Sequence, residues 1–120
     1  MNIYQENVMD HYKNPRNFGK MKKPDVVSKD ANMLCGDEIE IQVKIKNGKI
    51  DDIRFSGPGC AISRASGSML SELVKGKKIS DIKKIKDDDL IGMMGIELTP
   101  IRRKCALLSL RVLKNGLEKA

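Results

Sequence analysis

The sequence predicts an α+β domain in which a short antiparallel sheet packs against helices. Residues 38–46 alternate strictly between apolar and polar side chains, which is the period of a strand with one buried face. Asn47-Gly48 follows directly and favours a hairpin, because both central positions of a type I′ turn need positive φ. Apolar residues recur at helical spacing on both sides of this hairpin. The 120 residues suffice for a single domain, which we place at 1–120.

The amino-terminal part predicts a helix over residues 3–12, with Ile3, Val8 and Met9 on one face. The helix ends at Asn14-Pro15, because a residue that precedes proline is disfavoured in the helical region. His11 is the single histidine, and we expect it at the helix end or on the surface rather than as a metal ligand.

Three segments are predicted to be extended. The first is residues 24–32, around Val26-Val27. The second is residues 38–46, whose buried face carries Ile39, Ile41, Val43 and Ile45. The third returns from the turn over residues 49–56 with Ile53 and Phe55 facing inward.

Gly57-Pro58-Gly59 ends the hairpin and introduces a helix that opens at Cys60 and runs to Gly76, a residue suited to a left-handed cap. Its apolar positions are Ile62, Ala65, Met69 and Leu73. The unpaired N–H groups and the positive dipole end of this helix favour a thiolate at Cys60.

The carboxy-terminal part predicts two short covering helices within residues 79–95 and then a final packing helix. Thr99-Pro100 supplies an N-cap followed by proline in the first turn, and Cys105 lies in an early turn. The apolar stripe of this helix is Ala106, Leu110, Leu113 and Leu117.

Composition excludes several classes of protein. The net charge is +7, but the lysines are scattered beside acids and there are only two Tyr and two Phe, so we favour a solvated basic surface over a nucleic-acid face. Three cysteines cannot form a full disulfide framework, and neither a signal peptide nor a long apolar span is present. We therefore expect a cytoplasmic protein with no nucleic-acid or membrane partner.

The three cysteines are the main candidates for chemistry. They lie too far apart for the close Cys-x-x-Cys pairs of zinc fingers, so the fold must assemble the site. Cys35 precedes the hairpin, Cys60 follows it and Cys105 starts the packing helix, so all three could meet at one end of the sheet as metal or cluster ligands. The alternative is three small buried apolar side chains.

Two neighbours of the cysteines have competing roles. Asp37 is the natural fourth ligand, with a more labile bond because its oxygen matches iron less well than sulfur does; alternatively it bonds its own backbone in a turn. Lys104 either keeps the Cys105 thiolate activated or is part of an exposed charged turn.

Four motifs together resemble one family. They are residues 10–19 (DHYKNPRNFG), Cys35-Gly36-Asp37, residues 57–63 (GPGCAIS) with the Ser/Ala-rich helix that follows, and Lys104-Cys105-Ala106. With these motifs, nearly the whole chain resembles the U-type iron–sulfur cluster assembly scaffolds, which comprise IscU, the amino-terminal domain of NifU, and SufU.

The resemblance implies a SufE/NifU-like fold, with a three-stranded antiparallel sheet packed by an amino-terminal helix and carboxy-terminal helices. It implies that Cys35, Cys60 and Cys105 bind the cluster or metal, that Asp37 tunes cluster release, and that Cys105 is the first sulfur acceptor. It also implies sulfur delivery by a cysteine desulfurase, and zinc as an occupant of the cluster-free site. The protein would be a platform, not a catalyst.

The chain departs from the IscU pattern at two places. Lys104 stands where IscU has His, as in SufU, although the insertion that SufU usually carries before the last helix is missing. Residues 98–102 read Leu-Thr-Pro-Ile-Arg instead of the Leu-Pro-Pro-Val-Lys segment that IscU presents to an Hsp70-type chaperone, which weakens the case for chaperone-assisted release.

Two hypotheses follow. The first is a scaffold that accepts sulfur from a desulfurase, binds iron, builds a transient [2Fe–2S] cluster and passes it to apo-proteins, with the cluster shared between two chains as one arrangement. The second is a zinc-dependent sulfur acceptor in which the same residues bind Zn²⁺ and Lys104 activates Cys105.

Overall fold

The computed structural model describes residues 2–34 and 36–119. The helices are α1 (Ile3–Lys13), α2 (Ala61–Val74), α3 (Ile79–Ile82), α4 (Asp87–Met94) and α5 (Pro100–Glu118). The strands are β1 (Val26–Asn32), β2 (Asp37–Lys46) and β3 (Lys49–Ser56), which form an antiparallel sheet in the order β1-β2-β3. The α+β class and the three-stranded sheet are thus confirmed.

The central hairpin has the predicted turn. Asn47 and Gly48 both have positive φ, 54° and 73°, as a type I′ turn requires. Farther along the hairpin, Val43 of β2 pairs with Ile53 of β3. The polar face of β2 is less exposed than the alternation predicts, because the buried Gln42 side chain accepts a hydrogen bond from the backbone N–H of Met21 at 2.8 Å.

The core lies between the sheet and the helices α2 and α5. The predicted stripe of α5 is fully buried, but α2 is buried over a wider face than its apolar residues predict, because it also packs against α1. Four buried serines on α2 make this possible: Ser63, Ser66, Ser68 and Ser71. Small side chains let two helices approach closely. Gly67 likewise lets α2 approach β3, because a Cβ there would lie 2.9 Å from the ring of Phe55.

Helix α1 packs by a face that overlaps the predicted one in part, since Val8 is buried and Met9 is half-buried. Val8 is buried as expected, but Ile3 is 76% exposed. His11 lies in the last turn of α1, which confirms the helix-end alternative, and it is only 6% exposed, so the surface alternative is wrong. Its Nδ1 lies 2.7 Å from the Ser68 hydroxyl and its Nε2 lies 3.6 Å from Glu72, so His11 ties α1 to α2.

The start of α5 and the end of α4 carry residues that suit those positions. The Thr99 hydroxyl accepts a hydrogen bond from the N–H of Arg102 at 3.3 Å, with Pro100 in the first turn of α5. Gly95 ends α4 with a φ of 64°. Across residues 2–34 and 36–119, no helix has the length and apolar character needed to cross a membrane.

Candidate metal centre

Three potential ligands converge where β2 and α2 begin. Asp37 is the first residue of β2, Cys60 is the N-cap of α2, and Cys105 lies in the second turn of α5. One ligand atom from each lies within 4.8 Å of the other two. Ligand atoms around a tetrahedral zinc are about 3.5–4 Å apart, so only a small adjustment separates this arrangement from a metal shell.

The Asp37 carboxylate connects the strand to the loop before α2. It is 2% exposed; its Oδ1 accepts a hydrogen bond from the N–H of Cys60 at 2.8 Å, and its Oδ2 lies 3.5 Å from Cys60 Sγ. Next to it, the N–H of Glu38 bonds the carbonyl of Pro58 at 2.8 Å. A buried carboxylate needs such partners, and here they place a potential oxygen ligand beside a sulfur.

The glycines of residues 57–59 allow the loop to approach β2 closely. Gly57 has a φ of 122°, and a Cβ there would collide with the backbone carbonyl oxygen of Glu38. At Gly59, a Cβ would lie 3.1 Å from Ser63 Oγ and 3.8 Å from Asp37 Oδ1. The loop that positions Cys60 therefore depends on residues without side chains.

Cys60 and Cys105 differ in exposure. Cys60 is half-buried, and its Sγ accepts the N–H of Ser63 at 3.5 Å, in the manner of an N-cap side chain. Cys105 is only 2% exposed, and Asn32 Nδ2 donates to its Sγ at 3.9 Å. The helix start thus carries the more accessible sulfur and α5 the shielded one.

The other predicted site residues are placed as follows. Lys104 is exposed and lines a groove of about 360 Å³ with Asp87, Leu107 and Lys114 among others, so its role toward Cys105 stays a prediction. Cys35, the remaining predicted ligand, lies outside the described residues, and its role likewise stays a prediction.

Sequence reasoning missed two polar residues beside the ligands. Asn32 is buried; besides its contact with Cys105, its Oδ1 accepts the N–H of Leu34 at 3.1 Å. An Asn at a strand end, with such a local bond, is a recognisable turn signal. Ser63 is buried behind Gly59, and nothing in its sequence position distinguishes it from the other serines of α2.

Exposed apolar side chains flank the site. Met33 is 89% exposed and Leu34 is 64% exposed, just before residues 35–37, and Ile101 is 54% exposed one turn before Cys105.

Comparisons with known proteins identify the family and relatives of this chain. The family model described as NifU-like N terminal domain matches residues 3–119. The chain is 38% identical to the zinc-dependent sulfurtransferase SufU of Bacillus subtilis, over 98% of this chain and 90% of that protein. It is also 38% identical to the iron–sulfur cluster assembly enzyme IscU of Drosophila melanogaster, over 96% of this chain and 76% of that protein.

Solved structures share the fold. A candidate iron–sulfur cluster assembly scaffold for the SUF system from Fervidobacterium islandicum has a TM-score of 0.78 and 28% identity, over 93% of this chain and 94% of that one. The amino-terminal part of a NifU-like protein from Brucella abortus has a TM-score of 0.80, over 98% of this chain and 93% of that one, and at 19% identity it shows the fold alone.

Proposed function

The chain belongs to the NifU-like N-terminal domain family, and we propose that its residues 1–120 form one scaffold domain on which a [2Fe–2S] cluster is built and from which it is passed to apo-proteins. The observation that carries the proposal is the convergence of Asp37, Cys60 and Cys105 within 4.8 Å. In the described part of the chain this is the one group of three His, Cys, Asp or Glu side chains spaced for a metal.

The donor set suits temporary binding of iron and sulfur. Thiolates match iron well, whereas a carboxylate oxygen is the poorer match and gives the more exchangeable bond. Asp37 Oδ1 accepts the N–H of Cys60, and Oδ2, which lies 3.5 Å from Cys60 Sγ, is the proposed ligating atom. Cys35, next to this group in sequence, completes the proposed ligand set with a third thiolate.

The proposal assigns sulfur delivery to a cysteine desulfurase in the cytoplasm, where reducing conditions keep thiolates available. Cys105 is the first sulfur acceptor, with Lys104 as the residue that favours its thiolate. Since Cys105 is 2% exposed, transfer requires the surrounding loops to open. Met33, Leu34 and Ile101 offer the apolar surface that docking partners need. The protein acts as a carrier and not as an enzyme.

The test is anaerobic reconstitution with iron and sulfide, followed by transfer to an apo-ferredoxin and monitored by visible absorbance. The wild-type chain should form the cluster and transfer it. Asp37→Ala should give a longer-lived cluster that transfers several-fold more slowly, because the exchangeable ligand is gone. Unchanged transfer would remove Asp37 from this role.

Asp37→Asn is the matched control for the structural contact of the carboxylate. The amide oxygen of Asn can still accept the N–H of Cys60, so the loop stays tied to β2 while the charged ligand is lost. Slow transfer in both variants therefore indicates ligation. Slow transfer in Asp37→Ala alone indicates that the lost loop contact is the cause.

The second candidate is a zinc-dependent sulfur acceptor, which the relative named as a zinc-dependent sulfurtransferase favours. The same carboxylate and thiolates fit Zn²⁺, which would hold the sulfur ligands deprotonated. Anaerobic purification followed by metal analysis separates the two functions. Iron and sulfide with visible colour support assembly, and colourless stoichiometric zinc with stimulation of a desulfurase supports relay. Gel filtration before and after reconstitution tests whether two chains share the cluster.

A further inference from the structure

The hydroxyl of Ser63 is the unusual polar group beside the candidate centre. Ser63 is 1% exposed, and its Oγ has no hydrogen-bond partner within residues 2–34 and 36–119. Buried hydroxyls in folded proteins nearly always have a partner, because an unsatisfied polar group opposes folding. A buried hydroxyl without one therefore suggests a bound group that completes it.

Its position connects it with the ligands. Ser63 is in the first turn of α2, and its backbone N–H donates to Cys60 Sγ at 3.5 Å. A Cβ at Gly59 would lie 3.1 Å from Ser63 Oγ and 3.8 Å from Asp37 Oδ1. Since Gly59 carries no side chain, the point that such a Cβ would occupy is bordered by both the hydroxyl and the carboxylate.

The other buried serines of α2 behave differently. Ser66 Oγ donates to the carbonyl of Ala106, Ser68 Oγ accepts the N–H of Arg16 at 2.8 Å, and Ser71 Oγ donates to the carbonyl of Ser68 at 2.7 Å. The hydroxyls of these three serines therefore all have hydrogen-bond partners. Among the four buried serines of α2, Ser63 is the one whose hydroxyl has no partner in the described chain, and it is the one beside the ligands.

We propose that the Ser63 hydroxyl is the hydrogen-bond donor for an anionic sulfur, sulfide or persulfide, held beside Cys60. This inference rests on the proposed function and names the part of the cargo that Ser63 recognises. The O–H of a serine stabilises an anion by donating to it, whereas its neutral oxygen is a poor ligand for the metals that thiolates bind. The start of α2 adds a positive electrostatic potential at the same place, which also favours an anion. Hydrogen bonds to sulfur are also a known means of tuning iron–sulfur sites.

The proposal makes opposite predictions for the empty and the loaded protein. In the absence of metal and sulfide, Ser63→Ala removes an unsatisfied group, so the urea midpoint should be unchanged or higher. With an iron–sulfide cluster bound, the same variant loses a hydrogen bond to sulfur. The cluster should then be lost to a chelator about fivefold faster, a factor typical of one hydrogen bond.

Ser71→Ala is the matched control, since Ser71 is an equally buried serine farther along the same helix whose hydroxyl is satisfied. It should lower the urea midpoint and leave the cluster lifetime unchanged. A third measurement, Zn²⁺ affinity by competition with a chromogenic chelator, should be the same for Ser63→Ala and wild type because no sulfide is present.

The experiment uses the full chain, reconstituted anaerobically with Fe²⁺ and sulfide, with cluster loss to EDTA followed by visible absorbance. A shorter lifetime for Ser63→Ala with unchanged Zn²⁺ affinity supports the proposal. An equal lifetime, a lowered urea midpoint of the empty variant, or an equal loss of Zn²⁺ affinity overturns it. Failure of the wild-type chain to form any cluster would instead refute the scaffold function itself.

Discussion

Gly57→Ala is the sharpest test of how the backbone positions the candidate centre. Gly57 has a φ of 122°, a conformation that costs a residue with a side chain about 1–3 kcal/mol. The new Cβ would also collide with the Glu38 carbonyl oxygen and lie 3.1 Å from its carbonyl carbon. Backbone atoms of a central strand cannot rotate away, so overpacking adds about 1–3 kcal/mol. We therefore expect unfolding to become easier by about 2–6 kcal/mol.

The same collision should also weaken metal binding. The loop at residues 57–60 lies against β2 through the bond from Glu38 N–H to the Pro58 carbonyl, 2.8 Å, and the bond from Cys60 N–H to Asp37, 2.8 Å. Moving Gly57 away from Glu38 would break both hydrogen bonds and separate Cys60 from Asp37. We expect Zn²⁺ affinity, measured by chelator competition, to fall at least about tenfold, which corresponds to about 1.4 kcal/mol.

Gly76→Ala is the control for backbone strain alone. Gly76 has a φ of 85°, but no atom lies within 4 Å of the position that its Cβ would take. This variant should be destabilised by only about 1–3 kcal/mol in urea unfolding followed by far-UV circular dichroism, with unchanged Zn²⁺ affinity. If both variants lose the same stability, or if Gly57→Ala binds Zn²⁺ as tightly as wild type, the close contact at Glu38 does not position the site.

Three further predictions concern stability. Burial, with a smaller contribution from Arg16, lowers the pKa of His11 below its ordinary 6.5, while Glu72 and Asp10 act in the opposite direction. As the pH falls, the unfolded chain therefore takes up the His11 proton first, and the folded state should lose stability below about pH 6.5. Urea midpoints at pH 8, 6.5 and 5 should fall more steeply for wild type than for His11→Gln. Equal slopes for the two proteins would exclude His11 as the cause. Ser66→Ala removes the buried bond to the Ala106 carbonyl and should cost about 1 kcal/mol in the same urea assay, so an unchanged midpoint would contradict that contact. Thr99→Ala removes the N-cap bond of α5 and should cost about 0.5–2 kcal/mol, whereas Thr99→Ser should retain most of the stability; equal losses would count against capping.

The parts of the fold that were predicted correctly are those with strong local sequence patterns. The alternation of residues 38–46 and the Asn47-Gly48 turn correspond to β2 and its hairpin, because side-chain period and positive φ are properties of the residues themselves. The burial of His11 and the exposure of Ile3 were not predictable in this way. A short helix with few apolar residues has no unique buried face until it packs, and α1 packs through Val8 and His11.

The candidate centre was predictable in its residue types but not in its supporting contacts. Cysteines at a helix start and in a packing helix suggest a shared site once the sheet is recognised, and Asp37, Cys60 and Cys105 do lie together. The Asn32 contact with Cys105 and the unpartnered Ser63 hydroxyl depend on distances between elements that are far apart in sequence. No local pattern encodes such distances.

The three candidate ligands come from three different secondary-structure elements, and this arrangement affects how a scaffold holds and releases its cargo. Asp37, Cys60 and Cys105 come from the start of a strand, the start of a helix and the interior of another helix, so they converge only in the folded chain. Any metal that they bind therefore stabilises the fold, and losing the metal is opposed by the same free energy. Release is easiest where an acceptor protein can reach a ligand, and the half-buried Cys60 is the more accessible of the two described cysteines. The shielded Cys105 on α5 is the better anchor, so we infer that cargo leaves from the Asp37–Cys60 side.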